Sequence, residues 1–215
     1  MLRKDQRGGI LDILITAGAT RNPIDAMRYI SAHSSGQTGV WLAERFKPSA
    51  TVHLLGSPEA LLRCRLDIPC IPYSSTRDLM HKMETWLLQH PAGVVVHAAA
   101  VGDYEATDGG TAGKIASGQS ELTITLVPTP KIVDHIKAWA PNSTLISFKA
   151  AAPGTSPQKL LELATAQRER TGSLWVFANV IGALNENLLL LGPDGPEWCK
   201  SRPLAMSRLV AVTLR

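Results

Sequence analysis

Residues 10–39 read ILDILITAGATRNPIDAMRYISAHSSGQTG. The run 10–18 is apolar, continuous and rich in β-branched residues, which suits a strand covered on both faces, the habit of parallel sheets. From Gln37 the spacing turns helical, so the segment predicts strand, connector, helix. The connector from Thr16 to Gly39 is far longer than the usual about 4–6 residues, and such a loop in a compact domain is either functional or disordered. Its Gly18, Ser34, Ser35, Gly36 and Gly39 favour function. Glycines let backbone amides approach a phosphate, hydroxyls donate, and a helix N-terminus supplies partial positive charge. The alternative is a loop whose glycines serve turns and whose serines cap a helix. The pattern is neither G-x-G-x-x-G nor G-x-x-x-x-G-K-[ST].

The same alternation continues along the chain. TVHLLG (51–56), GVVVHAAAV (93–101), STLISF (143–148) and SLWVFANV (173–180) read as further strands. Helical spacing covers Gln37–Phe46, Ser75–Gln89, Pro130–Ala140 and Pro157–Thr171, with Ile132, Val133, Ile136 and Trp139 on one face of the third. This predicts an α/β, Rossmann-like fold: an open, mostly parallel sheet with helices on both faces. ELTITLV (121–127) alternates and reads as a one-sided strand of a β-rich flap or arm, and NLLLLGPDGPEW (187–198) reads as an edge hairpin around Pro-Asp-Gly. Its 215 residues, without repeats or a dividing linker, predict one domain spanning 1–215.

Composition narrows the function. With 45% hydrophobic and 19% charged residues and no apolar run of about 18, the chain reads as globular rather than membrane-spanning. Arg3, Lys4 and Arg7 ahead of 10–18 imitate a secretory leader, but Asp12 interrupts the run and favours a buried strand. Cys64, Cys70 and Cys199 match no disulfide framework or metal spacing, as expected of thiols in a reducing cytoplasm. The net charge of +4 is scattered without a basic run, which argues against nucleic acid and for a small polyanion such as a nucleotide.

In open α/β sheets ligands sit beyond the carboxyl ends of the strands. The loops expected there carry Asp103, suited to a hydroxyl or a metal-bound water, and Lys114 in a glycine-rich segment, suited to a triphosphate. They also carry Phe148 as a flat surface for a base, Lys149 as a second cation, and Asn179 as donor and acceptor. The bland alternatives are a solvated lysine for Lys114 and core positions for Phe148 and His97. With no Ser-His-Asp order, metal-binding His pair or close carboxylate pair, the set suits chemistry in which a nucleotide supplies the leaving group and the protein positions and neutralises charge.

Together the motifs resemble a known family. ITAGATRNPIDAMRYISAHSSGQTG is similar to the opening signature of the phosphopantothenate-cysteine ligases. HAAAVGDY, GKIASGQSELTITLV, ISFKAAA and VFANVIG resemble the family's later motifs in the same order, over roughly residues 10–190. The resemblance implies coenzyme A biosynthesis. CTP or ATP, with Mg2+, activates the carboxylate of 4'-phosphopantothenate as an acyl-nucleotide, and the amine of L-cysteine then forms the amide. It implies a cytoplasmic homodimer and a possible separate decarboxylase. No flavin is expected, because the chain begins at the synthetase signature.

Carried over, Gly18, Ser34, Ser35, Gly36, Gly39, Asp103, Lys114, Pro130, Lys131, Ile132, Val133, Phe148 and Lys149 are nucleotide-binding positions. Arg28, Ala99, Ala100 and Asn179 are substrate-binding, Lys114, Asp103 and His33 are catalytic, and no metal-ligating residue is assigned. The chain departs from the pattern at Ala32, where the family's S-N-H-S-S-G carries asparagine, and at Ser117, the second lysine of K-I-K-K. A glutamate expected after Phe148 is missing from Ala150–Ala152, and Gln167 and Thr171 stand near two further lysines, with Arg168 and Arg170 close by. These departures keep a second reading open, a nucleotide-binding relative that acts as partner or regulator without catalysing the ligation. A dinucleotide-dependent oxidoreductase is disfavoured by the missing glycine triplet and by Glu59 lying late for the acid after the second strand.

Overall fold

The computed structural model describes residues 10–65, 67–183 and 185–214, so Arg3, Lys4 and Arg7 lie outside the described residues. The chain runs β1 (Asp12–Ala17), a hairpin of β2 (Arg21–Pro23) and β3 (Tyr29–Ser31), α1 (Gln37–Phe46), β4 (Thr51–Gly56), α2 (Pro58–Leu61), β5 (Cys70–Pro72), α3 (Thr76–Gln89) and β6 (Val94–His97). It continues through β7 (Tyr104–Ala106), β8 (Leu126–Pro128), α4 (Ile132–Trp139), β9 (Thr144–Ala151), α5 (Pro157–Thr171), β10 (Trp175–Val180), β11 (Leu188–Gly192), β12 (Gly195–Cys199) and α6 (Arg202–Thr213).

One sheet holds the main strands in the order β5-β4-β1-β6-β9-β10-β11-β12. From β5 to β10 all pairs are parallel, and β11 and β12 add an antiparallel edge hairpin. The order reverses between β1 and β6, which is where open α/β sheets bind ligands.

Alternation hidden inside the apolar runs supplies both faces. Ile13 and Ile15 pack with Ile146 and Phe177 under α1 and α6, while Leu14, Val95 and Leu145 pack under α3 and α4. Val176 and Ala178 meet Leu160 and Ala164 of α5. The helices start and stop on local signals. Ser75 and Ser156 accept N–H bonds from Asp78 and Lys159, Pro157 opens α5, and Gly172 closes it in the left-handed conformation.

Three sequence expectations need correction. The connector Thr16–Gly39 contains a hairpin, in which Arg21–Pro23 pair with Tyr29–Ser31. Of 121–127, only the end enters a strand, as Leu126–Pro128 against Tyr104–Ala106. The alternating Leu122 and Leu126 face no sheet layer and remain 43% and 38% exposed. The strand expected over 93–101 ends at His97, after which the chain leaves the ladder apart from one bridge, Ala19 to Ala100.

Candidate functional site

Beyond Ala17, Gly18 turns the chain away from the sheet, and after the β2–β3 excursion it returns to Gly36, the N-cap of α1. Gly36 has φ +75°, and a Cβ there would lie 2.3 Å from Ala60 Cβ and 3.0 Å from the backbone N of Gly18. Only glycine lets the two backbone segments approach. Gly39 serves packing, because a Cβ on it would stand 2.6 Å from Ala17 Cβ and hold α1 off β1. No side chain caps α1, and its first turn holds no acid. Ser34 and Ser35 hydroxyls reach the N–H groups of Gly36 and Gln37 only at 3.4 and 3.5 Å. The start of α1 therefore keeps the donors and positive potential that suit an anion.

The switch point is held by hydrogen bonds. Ala100 N–H donates to Gly18 O at 2.8 Å and Thr20 N–H to Ala100 O at 3.1 Å. The buried Thr16 hydroxyl accepts from Ala99 N–H at 3.0 Å and lies 3.0 Å from His97 Nδ1, the acceptor for its own proton. Burial pushes His97 down to about 4, so the ring is neutral and Nδ1 is free to accept. The N–H groups of Ala99 and Ala100 and the carbonyl of Ala100 are thus engaged within the fold, and Ala99 lines the neighbouring cavity.

On the α4 and α5 side of the same edge lies a cavity of about 290 Å³. It brings together Asp103, Pro130, Lys131, Ile132, Val133, Phe148, Lys149 and Ala99 from the sequence-derived set. His97, Val101, Ala150, Gln167 and Arg170 complete the lining. Asp103 and Lys131 form an ion pair at the mouth, and Arg170 pairs with Asp134. The Phe148 ring stacks on Phe177 at 5.0 Å, with the Arg202 guanidinium 5.5 Å from the centre of the Phe177 ring. Arg202 also donates to Thr38 Oγ1 in the first turn of α1 at 2.9 Å, linking the Phe177–Phe148 stack to the glycine cradle.

Other expected site residues sit outside the cavity lining. Asn179 is the penultimate residue of β10, 8% exposed. His33 is exposed beside the cradle serines, as is Ala32. Lys114 is exposed on the segment leading to the arm. Arg28 is engaged by its own loop: its Nε donates to Asp25 Oδ2 at 2.9 Å and its Nη2 to Ile115 O at 2.8 Å. Asp25 also accepts the N–H groups of Met27, Arg28 and Ile115, at 2.9, 2.8 and 3.0 Å. Arg28 foremost, with these donors, holds the Asp25 carboxyl well below the usual carboxylate range. Asp25 and Arg28 thus clasp Ile115, just after Lys114, and Ala26 N–H donates to Gly113 O at 3.2 Å just before it. The acid was legible only as part of a loop, since its partner Ile115 lies 90 residues away.

Comparison with known proteins fits this layout. Residues 10–189 match the family described as DNA/pantothenate metabolism flavoprotein C-terminal domain. The bifunctional coenzyme A biosynthesis protein CoaBC of Thermococcus kodakarensis is 35% identical over 210 residues, covering 94% of this chain and 49% of that protein. The chain therefore spans about half the length of this relative. Among solved structures, the DNA/pantothenate metabolism flavoprotein of Streptococcus pneumoniae superposes with TM-score 0.81 at 21% identity, over 94% of this chain and 98% of that one. A Cab2 mutant in complex with phosphopantothenate-cysteine gives 0.77 at 18% identity, over 95% and 86% of the two chains. At these identities the two structures speak for the fold.

Proposed function

The chain belongs to the DNA/pantothenate metabolism flavoprotein C-terminal domain family, and from that premise we propose that it ligates 4'-phosphopantothenate to L-cysteine in coenzyme A biosynthesis, using CTP or ATP. The observation that carries the reading is the cavity itself. Asp103, Pro130–Val133, Phe148 and Lys149 come from three separate stretches of sequence and line one space at the carboxyl edge of the sheet. The names of the Thermococcus relative and of the Cab2 complex support the choice of reaction.

The chemistry is two displacements. A carboxylate oxygen of phosphopantothenate attacks the α-phosphorus, the bond to the β-phosphate oxygen breaks, and pyrophosphate leaves. The cysteine amine then attacks the acyl carbon, loses a proton, and expels the nucleoside monophosphate as the acyl C–O bond breaks. Both steps build negative charge on oxygen, so positioned cations and N–H donors carry the catalysis.

The cradle from Gly18 to Gly36, with Ser34 and Ser35, receives phosphate. Lys131, Lys149 and Arg170 neutralise charge at the cavity mouth, and Lys114, fixed by the clasp, faces the triphosphate. His33 attends the acyl-nucleotide, while Asn179, Ala99 and Ala100 bound the pantothenate. Arg28, held in the clasp, stands with them as a substrate-binding position.

Among the described residues no three His, Cys, Asp or Glu side chains gather as a metal cage. Asp103, the acid in the cavity lining, suits Mg2+ that arrives on the nucleotide, since Mg2+ is held by one or two carboxylates plus substrate phosphates. Bound there it would neutralise phosphate charge in the first displacement.

The working form on this reading is a cytoplasmic homodimer, with a decarboxylase as its candidate partner. No described helix is long and apolar enough to cross a membrane. A second reading, a binding relative that does not ligate, is favoured by one observation: Ala32 puts a methyl in the segment just ahead of the cradle.

Incubation with 4'-phosphopantothenate, L-cysteine, Mg2+ and either CTP or ATP tests both. Mass-spectrometric appearance of phosphopantothenoylcysteine supports the ligase, and nucleotide binding without product supports the second reading. If the site is merely weakened, Ala32→Asn raises kcat by about a hundredfold, the usual worth of one donor to a reacting oxyanion. No gain in kcat contradicts that assignment.

A further inference from the structure

One amide side chain in the cavity lining has both of its N–H groups committed within the fold. Gln167 of α5 is only 7% exposed yet lines the cavity. Its Nε2 lies 3.1 Å from the carbonyl oxygen of Phe148, which can only accept, so the amide is oriented with its NH2 toward β9. The second N–H goes to Ser147 Oγ at 2.9 Å.

A closed ring of hydroxyls locks this orientation. Thr171 Oγ1 donates to the backbone carbonyl of Gln167 at 2.7 Å, so it accepts from Ser173 Oγ at 2.6 Å. Ser173 in turn accepts from Ser147 Oγ at 2.8 Å, and Ser147 accepts from the Gln167 amide. Every proton in the ring has one destination. Both amide N–H groups are taken, which leaves Oε1 as an acceptor with fixed direction.

No described donor reaches that oxygen. The described side-chain polar atoms that are both sealed and unpartnered are Trp86 Nε1 and Arg202 Nη1, so Gln167 Oε1 opens on the cavity. The lining it shares mixes the apolar side chains of Val101, Ile132, Val133 and Phe148 with His97, Asp103, Lys131, Lys149 and Arg170, so a flat heterocycle has both apolar contacts and a fixed acceptor within the same space.

We infer that Gln167 Oε1 accepts a hydrogen bond from the exocyclic amine of the nucleotide base, so that the cavity selects cytosine over uracil and adenine over hypoxanthine. A keto base would set oxygen against oxygen at this point, with no rotation of the amide open to relieve it. The inference takes from the ligase reading only that a nucleotide occupies the cavity.

Equilibrium binding by calorimetry with Mg2+ tests it on the amine and keto pairs CTP/UTP and ATP/ITP. The unsubstituted protein is expected to bind the amine member about tenfold or more tightly in at least one pair, as a site built for a hydrogen bond rejects the analogue that cannot make it. Gln167→Met, of similar volume, should bring that ratio close to one by weakening the amine member.

Equal affinities within both pairs overturn the inference, as does binding of none of the four, or a ratio that persists in a Gln167→Met protein with an intact circular-dichroism spectrum. The measurement on the unsubstituted protein decides even if the variant does not fold. Selective binding without pyrophosphate release leaves the inference standing and removes the ligase reading. Pyrophosphate release together with equal affinities within both pairs removes the inference and leaves the ligase.

Discussion

At the residue scale the site works through groups whose protons are already assigned. His97 is neutral, accepts from Thr16, and so ties β6 to β1 at the switch point. Its stability contribution has a definite sign. The folded ring titrates near 4 and the unfolded one near about 6.5, so between these values the unfolded chain binds more protons and acid favours unfolding. Stability should fall by about 1.4 kcal/mol per pH unit below about 6.5, reaching about 3 kcal/mol near pH 4. Urea midpoints across that range in the unsubstituted and His97→Gln proteins provide the check. An equal slope in both would remove His97 as the cause.

The residue types were legible in the sequence: a glycine–serine connector, Asp103, Phe148, Lys149. The partners were not, because the Asp25–Ile115 and Gln167–Ser147 contacts join residues far apart in the chain. Gln167 was visible only as a departure from lysine, and the hydroxyl ring that gives it meaning is a product of α5 lying on β9.

At the element scale, the long runs were readable because burial on both faces leaves a strong apolar signal. Helices α1 and α5 begin and end where the spacing predicts. Short pieces such as β5 and α2 carry too few residues to show a period. α6 goes unread as well, although Ala205, Met206, Leu209 and Val212 form a buried helical stripe. That stripe completes the layer shared with α1, so Leu209→Ala should destabilise the protein by about 2–5 kcal/mol. A urea-midpoint shift below about 1 kcal/mol would mean that α6 is peripheral. The arm was misread because alternation alone does not make a strand. Leu122 and Ile124 have the pattern, but the facing strand β7 is three residues long.

At the scale of the whole molecule, the strand order places the cradle and the cavity along one edge. The sequence implied this only by analogy, since periodicity does not specify order. The two small sheets are the part that looks outward. Tyr29 on β3, and Tyr104 and Leu126 on one face of the β7–β8 pair, are exposed apolar side chains that a second copy of the chain would cover on the ligase reading. Sedimentation should give about twice the chain mass of 23.1 kDa, and Leu126→Glu should return the monomer. A monomer in the unsubstituted protein at tens of micromolar would contradict the dimer.

The ligase reading requires that the carboxylate be activated before cysteine arrives. Rapid mixing of the protein with Mg2+, CTP or ATP and 4'-phosphopantothenate, without cysteine, should release about one pyrophosphate per active site and then stop. Adding L-cysteine should convert the bound acyl-nucleotide to the amide and restart release. Absence of phosphopantothenate-dependent pyrophosphate with either nucleotide, before and after cysteine, would contradict the proposed function.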